Sequence, residues 1–120
     1  MDNGYLIFSS SSELLRLRAE RIVYVKSDGN YSTLVMADGE ERLVTCQLGE
    51  VERMMAAQLS AGSMRFVRIG KSLIINRTFI HYIHPVRQQL VLSDEQSFRY
   101  TLTASKEALR QLKDLVENTV

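Results

Sequence analysis

Arg65-Phe66-Val67-Arg68-Ile69-Gly70-Lys71-Ser72-Leu73-Ile74-Ile75-Asn76-Arg77-Thr78-Phe79-Ile80 runs through the middle of the chain as short apolar pieces separated by polar residues. Phe66-Val67 and Leu73-Ile74-Ile75 have the aromatic and β-branched composition that suits a pleated surface, so they are predicted strands. Ile74-Ile75 is an aliphatic pair expected in the core. Between the two pieces, Arg68 and Lys71 stand beside Gly70, an arrangement that suits a phosphate-facing loop. Asn76 is expected to cap a turn with its side chain rather than to meet a ligand, and Ser72 can do the same.

Toward the C-terminus the β reading continues. Phe79-Ile80-His81-Tyr82-Ile83 is another apolar piece, and Pro85 ends it or sits on its edge. Leu90-Val91-Leu92, the turn Ser93-Asp94-Glu95 and Phe98 to Leu102 predict a hairpin. The chain then becomes helical. Ala108, Leu109, Leu112, Leu115 and Val116 form an apolar stripe, with Thr103 or Ser105 as the N-cap.

Toward the N-terminus, residues 1–12 are a short strand, Tyr5-Leu6-Ile7-Phe8, and a serine loop, Ser9 to Ser12. Glu13 to Leu17 and Ile22-Val23-Tyr24-Val25 predict further strands. Ser27-Asp28-Gly29-Asn30 reads as a turn, and Tyr31 to Met36 as a strand. Asp38-Gly39 signals a hairpin, because both residues tolerate positive φ, and Arg42 to Thr45 pairs back. One helix interrupts the pattern. Leu48, Val51, Met55 and Leu59 recur at helical spacing, and Ala61-Gly62-Ser63 stops it. Met54 and Met55 are expected as core filler. The expected architecture is mainly β, an elongated stack of small antiparallel sheets with one mid-chain helix and a C-terminal helix.

The chain has 120 residues, 45% hydrophobic and 24% charged, as in an ordinary globular protein. One domain spanning 1–120 is expected. The lone Cys46 excludes an internal disulfide and fits a reducing cytoplasm. No apolar run approaches the ~18 residues of a membrane helix, and Met1-Asp2-Asn3-Gly4 lacks the basic start of a signal peptide. A cytoplasmic location is therefore expected.

The formal net charge is only +1, but the charge is segregated. From Arg53 to Ser93 there is no Asp or Glu, while Arg53, Arg65, Arg68, Lys71, Arg77 and Arg87 fall there with His81 and His84. A half-buried β segment lacking acids would also give this pattern. A basic nucleic-acid-binding surface is the sharper reading.

Enzyme chemistry finds little support. His81 and His84, three apart in a β pattern, point to opposite faces, and one cysteine does not complete a metal site with them. No serine sits in a nucleophile elbow, and the glycines are scattered without a phosphate-cradling motif. No enzyme, cofactor or metal is expected.

The segment quoted first resembles the motif of the LytTR-type DNA-binding domain family, found as an output domain of bacterial response regulators in two-component systems. The pattern is a Phe, an Arg two residues on, a basic or polar residue before Ser, an aliphatic pair, Asn, then Ile. Ile22 to Val25 with Gly29-Asn30-Tyr31 resembles the family's first recognition region. Leu48, Val51 and Glu52 resemble its helix, and Tyr100-Thr101-Leu102-Thr103 with the helix that follows resembles its last region. The resemblance starts at about Glu13. It implies sequence-specific binding of duplex DNA by loops and regulation of bacterial transcription at direct-repeat promoter sites.

Carried over by position, the resemblance implies DNA contacts at Asn30, Tyr31, Ser32 and Thr33. A second set falls at Arg68, Gly70, Lys71 and Ser72, and a third at Thr103, Ser105 and Lys106. The family's usual histidine is Gly70 here, and its usual arginine is replaced by Ala104 or Ser105. Loss of an Arg removes a bidentate guanine contact that Lys or Ser does not copy. The alternative is therefore a protein-interaction module of the same fold that has lost specific DNA readout and titrates a related regulator. Members are often fused to a receiver domain, for which this sequence has no room, so regulation would come from abundance or a partner. The partners implied are double-stranded DNA and a partner regulator or RNA polymerase, with no membrane. The chain is expected to be a monomer in solution, paired on DNA.

Overall fold

A computed structural model of the chain describes residues 4–59 and 65–118. Along the chain these form β1 (Tyr5–Ser9), β2 (Leu14–Arg18), β3 (Ile22–Asp28), β4 (Tyr31–Met36), β5 (Glu41–Val44), α1 (Leu48–Gln58) and β6 (Phe66–Ile69). They continue as β7 (Leu73–Asn76), β8 (Ile80–His84), β9 (Gln89–Ser93), β10 (Arg99–Thr103) and α2 (Lys106–Asn118). Single 3-10 turns precede β3 and β8. The helix stop expected at Ala61-Gly62-Ser63 lies outside the described residues.

All strand pairing is antiparallel. β1 and β2 form a hairpin, β10-β9-β8 a three-stranded sheet, and β5-β4-β3-β7-β6 a central five-stranded sheet. The whole measures 45 × 32 × 26 Å along its principal axes.

Both faces of the central sheet are covered. On one face Ile22, Val25, Leu34, Met36 and Ile74 pack with Leu6, Phe8 and Leu17 of the β1–β2 hairpin and with Leu48, Val51 and Met55 of α1. On the other, Val23, Tyr24, Val35, Leu73 and Ile75 pack with Leu90 and Leu92 of β9 and with Leu109 and Leu112 of α2. This double burial explains why Leu34-Val35-Met36 and Leu73-Ile74-Ile75 are continuous apolar runs: alternate residues enter different cores. In β3 the alternation breaks, since Val23 and Tyr24 share a face. The β3–β4 register shifts between Ile22 and Tyr24 at that point, as a bulge does when it opposes two residues to one.

The Asp38-Gly39 hairpin is present but closes differently from a two-residue turn. Only Gly39 has positive φ, at 88°. Gly39 N–H donates to Met36 O at 2.9 Å, and Met36 N–H to Glu40 O at 2.8 Å. The loop is thus the three residues Ala37-Asp38-Gly39, a turn followed by a left-handed residue.

Asn76 is wholly buried. Its Nδ2 donates to Ile22 O at 2.9 Å, and its Oδ1 accepts from Thr78 N–H at 3.0 Å. It caps the 3-10 turn before β8 while tying β7 to the start of β3, which is the structural role expected of it.

Candidate nucleic-acid interface

The antiparallel register brings two turns to one end of the central sheet. Lys26 of β3 pairs with Leu73 of β7, so the end of β3 and the start of β7 are neighbours. Ser27 N–H donates to Ser72 O at 2.9 Å, which joins the β3–β4 turn region to the β6–β7 turn. Ser32 pairs with Val44, which delivers the start of α1 to the same end. There Gln47 Nε2 donates to Asn30 Oδ1 at 3.1 Å, and Gln47 N–H donates to Glu50 Oε1 at 3.2 Å. The second bond satisfies one of the backbone groups at that helix end.

Within the first set of expected contacts, Asn30 is exposed and Tyr31 is 45% exposed. Ser32 and Thr33, by contrast, are both buried. The Ser32 hydroxyl donates to Cys46 O at 2.7 Å. That bond ties the start of β4 to the segment that precedes α1.

In the second set, Lys71 and Ser72 are exposed, and Lys71 makes no salt bridge among the described residues. Gly70 is exposed and has φ of 59°. No other atom lies within 4 Å of the place its Cβ would take, so backbone conformation and not space restricts this position. Arg68 is committed within the protein. Its Nη1 lies 3.0 Å from Glu52 Oε1, and its Nη2 donates to Lys71 O at 3.2 Å. Its buried Nε has no hydrogen-bond partner. The carbonyl contact braces the turn that presents Lys71.

In the third set, Thr103, Ser105 and Lys106 are exposed. Ser105 resolves the choice of N-cap: its Oγ accepts from Ala108 N–H at 3.1 Å, and its carbonyl accepts from Leu109 N–H at 3.0 Å. The first turn of α2 adjoins the second set, since Ala108 and Gln111 share a groove with Arg68 and Gly70.

The sequence reading did not single out Lys26. It is exposed on the central strand, beside Leu73 and Thr33 in register, and makes no salt bridge among the described residues. Its signal was a cation ending the apolar run Ile22 to Val25 just before a turn. The surroundings are not uniformly positive: Asp28 is on the same turn, and Glu50 and Glu52 are on α1.

Other polar groups have local structural work. His81 Nδ1 lies 3.4 Å from Glu95 Oε2, and His84 Nδ1 accepts from Arg87 N–H at 3.2 Å. Burial, and then the negative charge of Glu50, push the Cys46 thiol up from its ordinary value, away from the thiolate form that reacts. No described helix is long and apolar enough to cross a membrane.

A family model for the LytTr DNA-binding domain matches residues 12–117 of the chain. The chain belongs to the LytTr DNA-binding domain family. The LytTr fold is also seen in a solved structure, the LytTr DNA-binding domain of a Bacillus cereus protein described as a methyl-accepting/DNA response regulator. The two are 15% identical with a TM-score of 0.63, and the match covers 95% of this chain and 97% of that one. No protein of curated function matches in sequence. LytTr domains are DNA-binding regulatory domains, not enzymes, so DNA binding in transcription regulation is the general function of this one.

Proposed function

We propose that this LytTr domain binds duplex DNA sequence-specifically through the turns at one end of its central sheet, as a bacterial cytoplasmic transcription regulator in a two-component system. The observation that carries the reading is the backbone bond from Ser27 to Ser72, which brings exposed Asn30 and Tyr31 together with exposed Lys71 and Ser72. Phosphate contacts position a protein on DNA, and a few side chains read base edges. Lys26 and Lys71 suit the first role. Asn30 suits the second, since an amide pairs with adenine. Lys106 adds a cation at the start of α2. Two copies would occupy a direct repeat head to tail, each a monomer in solution, with the shared duplex supplying avidity.

A second reading is a protein-interaction module of the same fold, and the Arg68–Glu52 pair favours it, because a cation at an expected contact position is spent inside the protein. Duplex binding measured across a salt series separates the two. A DNA binder loses affinity steeply as salt rises, because counterions are released, with a slope of about −0.9 per phosphate neutralised. A chain that binds a related regulator and no duplex supports the second reading.

A further inference from the structure

The acid-free stretch also contributes Arg87 outside the β6–β7 turn, toward cations of α2 that lie beyond that stretch. Beyond the β6–β7 turn, it reaches a second surface on the opposite flank of α2. There Ile83, His84 and Val86 share a groove with Arg110 and Lys113. Lys106, Arg110 and Lys113 recur at spacings of four and three, which sets them along one flank of the helix.

The turn between β8 and β9 is tied to the start of that helix. Ala104 N–H donates to Gln88 O at 3.3 Å, and Thr103 pairs with Gln89 in the β9–β10 ladder. The backbone next to Arg87 is thus joined to the residue that precedes Ser105 and Lys106. Arg87, Lys106 and Arg110 are all exposed, and none forms a salt bridge among the described residues. Lys113 is neutralised by Glu117 at 3.0 Å, and Asp114 lines the same groove. Glu107 lies between Lys106 and Arg110 in the first turn of α2, so at the end of the patch nearest Ser105 three cations face one acid.

We propose that Arg87, Lys106 and Arg110 form a second phosphate-binding surface that grips the backbone of the same duplex, separately from the Lys71 turn. The inference rests on the DNA-binding reading and extends it from Lys106, which that reading already uses, to Arg87 and Arg110, which it does not. An exposed guanidinium can hold a phosphate through two parallel hydrogen bonds. Lys106 and Arg110 lie one helical turn apart, with Cβ atoms roughly 5–6 Å from each other, so they can engage neighbouring phosphates. Among the described residues none of the three makes an ion pair, and a helix and a hydrogen-bonded turn fix their backbone. An acidic protein surface is the rival occupant.

The test is a salt titration of binding to a short random-sequence duplex by the whole chain, its Arg87→Ala/Arg110→Ala variant, and Lys71→Ala. The double variant is expected to keep its melting temperature and to lose roughly two units of salt slope. Arg87→Lys/Arg110→Lys should restore most of the slope, because the charge returns. An unchanged slope in the double variant, with Lys71→Ala still showing a loss, overturns this proposal and leaves the DNA reading standing. A wild-type chain that binds no duplex overturns both, and loss of binding to a related regulator in the double variant then assigns the patch to an acidic protein.

Discussion

Arg68 Nη1 and Glu52 Oε1 lie 3.0 Å apart, linking the strand that leads into the β6–β7 turn to the helix beside it. Half of the Glu52 side chain is exposed, so the pair contributes at most about 1 kcal/mol to stability. Its larger effect is on charge, since it removes one cation from the outward field of the turn. Glu52→Gln should leave the melting temperature nearly unchanged and raise duplex affinity, with the salt slope steeper by up to roughly one unit. Anisotropy titrations at several salt concentrations measure this. A slope equal to wild type would show that Arg68 stays on the turn carbonyl and never meets DNA.

Lys71→Ala should weaken binding to all duplex sequences about equally and lower the salt slope by roughly one unit, as a phosphate contact does. Affinities for several unrelated duplexes, compared between wild type and variant, decide it. A loss confined to one sequence would mean that Lys71 reads a base.

Ile75→Ala should unfold the domain without any selective effect on DNA. Ile75 is 0% exposed in the core shared by the central sheet, β9 and α2, and truncating such a residue costs about 2–5 kcal/mol. Calorimetry or thermal circular dichroism provides the check. An unchanged melting temperature is incompatible with this packing.

Asp94 gives the fold a pH dependence. Its carboxylate accepts from the Ser97 hydroxyl and from the backbone N–H groups of Gln96, Phe98 and Ser97, and these bonds hold its pKa well below the usual carboxylate range. A depressed folded-state pKa stabilises above the unfolded value, about 3.9, and the contribution fades as pH falls below it. Asp94→Ala should melt lower than wild type at neutral pH, and the gap should narrow below about pH 4. A gap that is constant with pH would show that the turn does not depend on the charge.

Which features were legible in the sequence follows from their physics. Local period and composition mark strands and helices, so Tyr31–Met36 and the Leu48-Val51-Met55 stripe were readable directly. The burial of Ser32 and Thr33 was not legible, because position in a motif does not reveal it. Whether a strand-start hydroxyl faces solvent depends on Cys46, fourteen residues away from Ser32. The commitment of Arg68 to Glu52 also crosses elements, as does the bond from Ala104 to Gln88 that joins the β8–β9 turn to the residues before α2. The bulge between Ile22 and Tyr24 left a trace, the unbroken run Ile22 to Val25, but that run equally suits a strand buried on both sides.

Selection of bound sequences from a random duplex pool by the whole chain tests the central claim most directly. The account predicts enrichment of a direct repeat whose half-sites are spaced by about 10–10.5 base pairs or a multiple of that. A pool that stays random through successive rounds would contradict it.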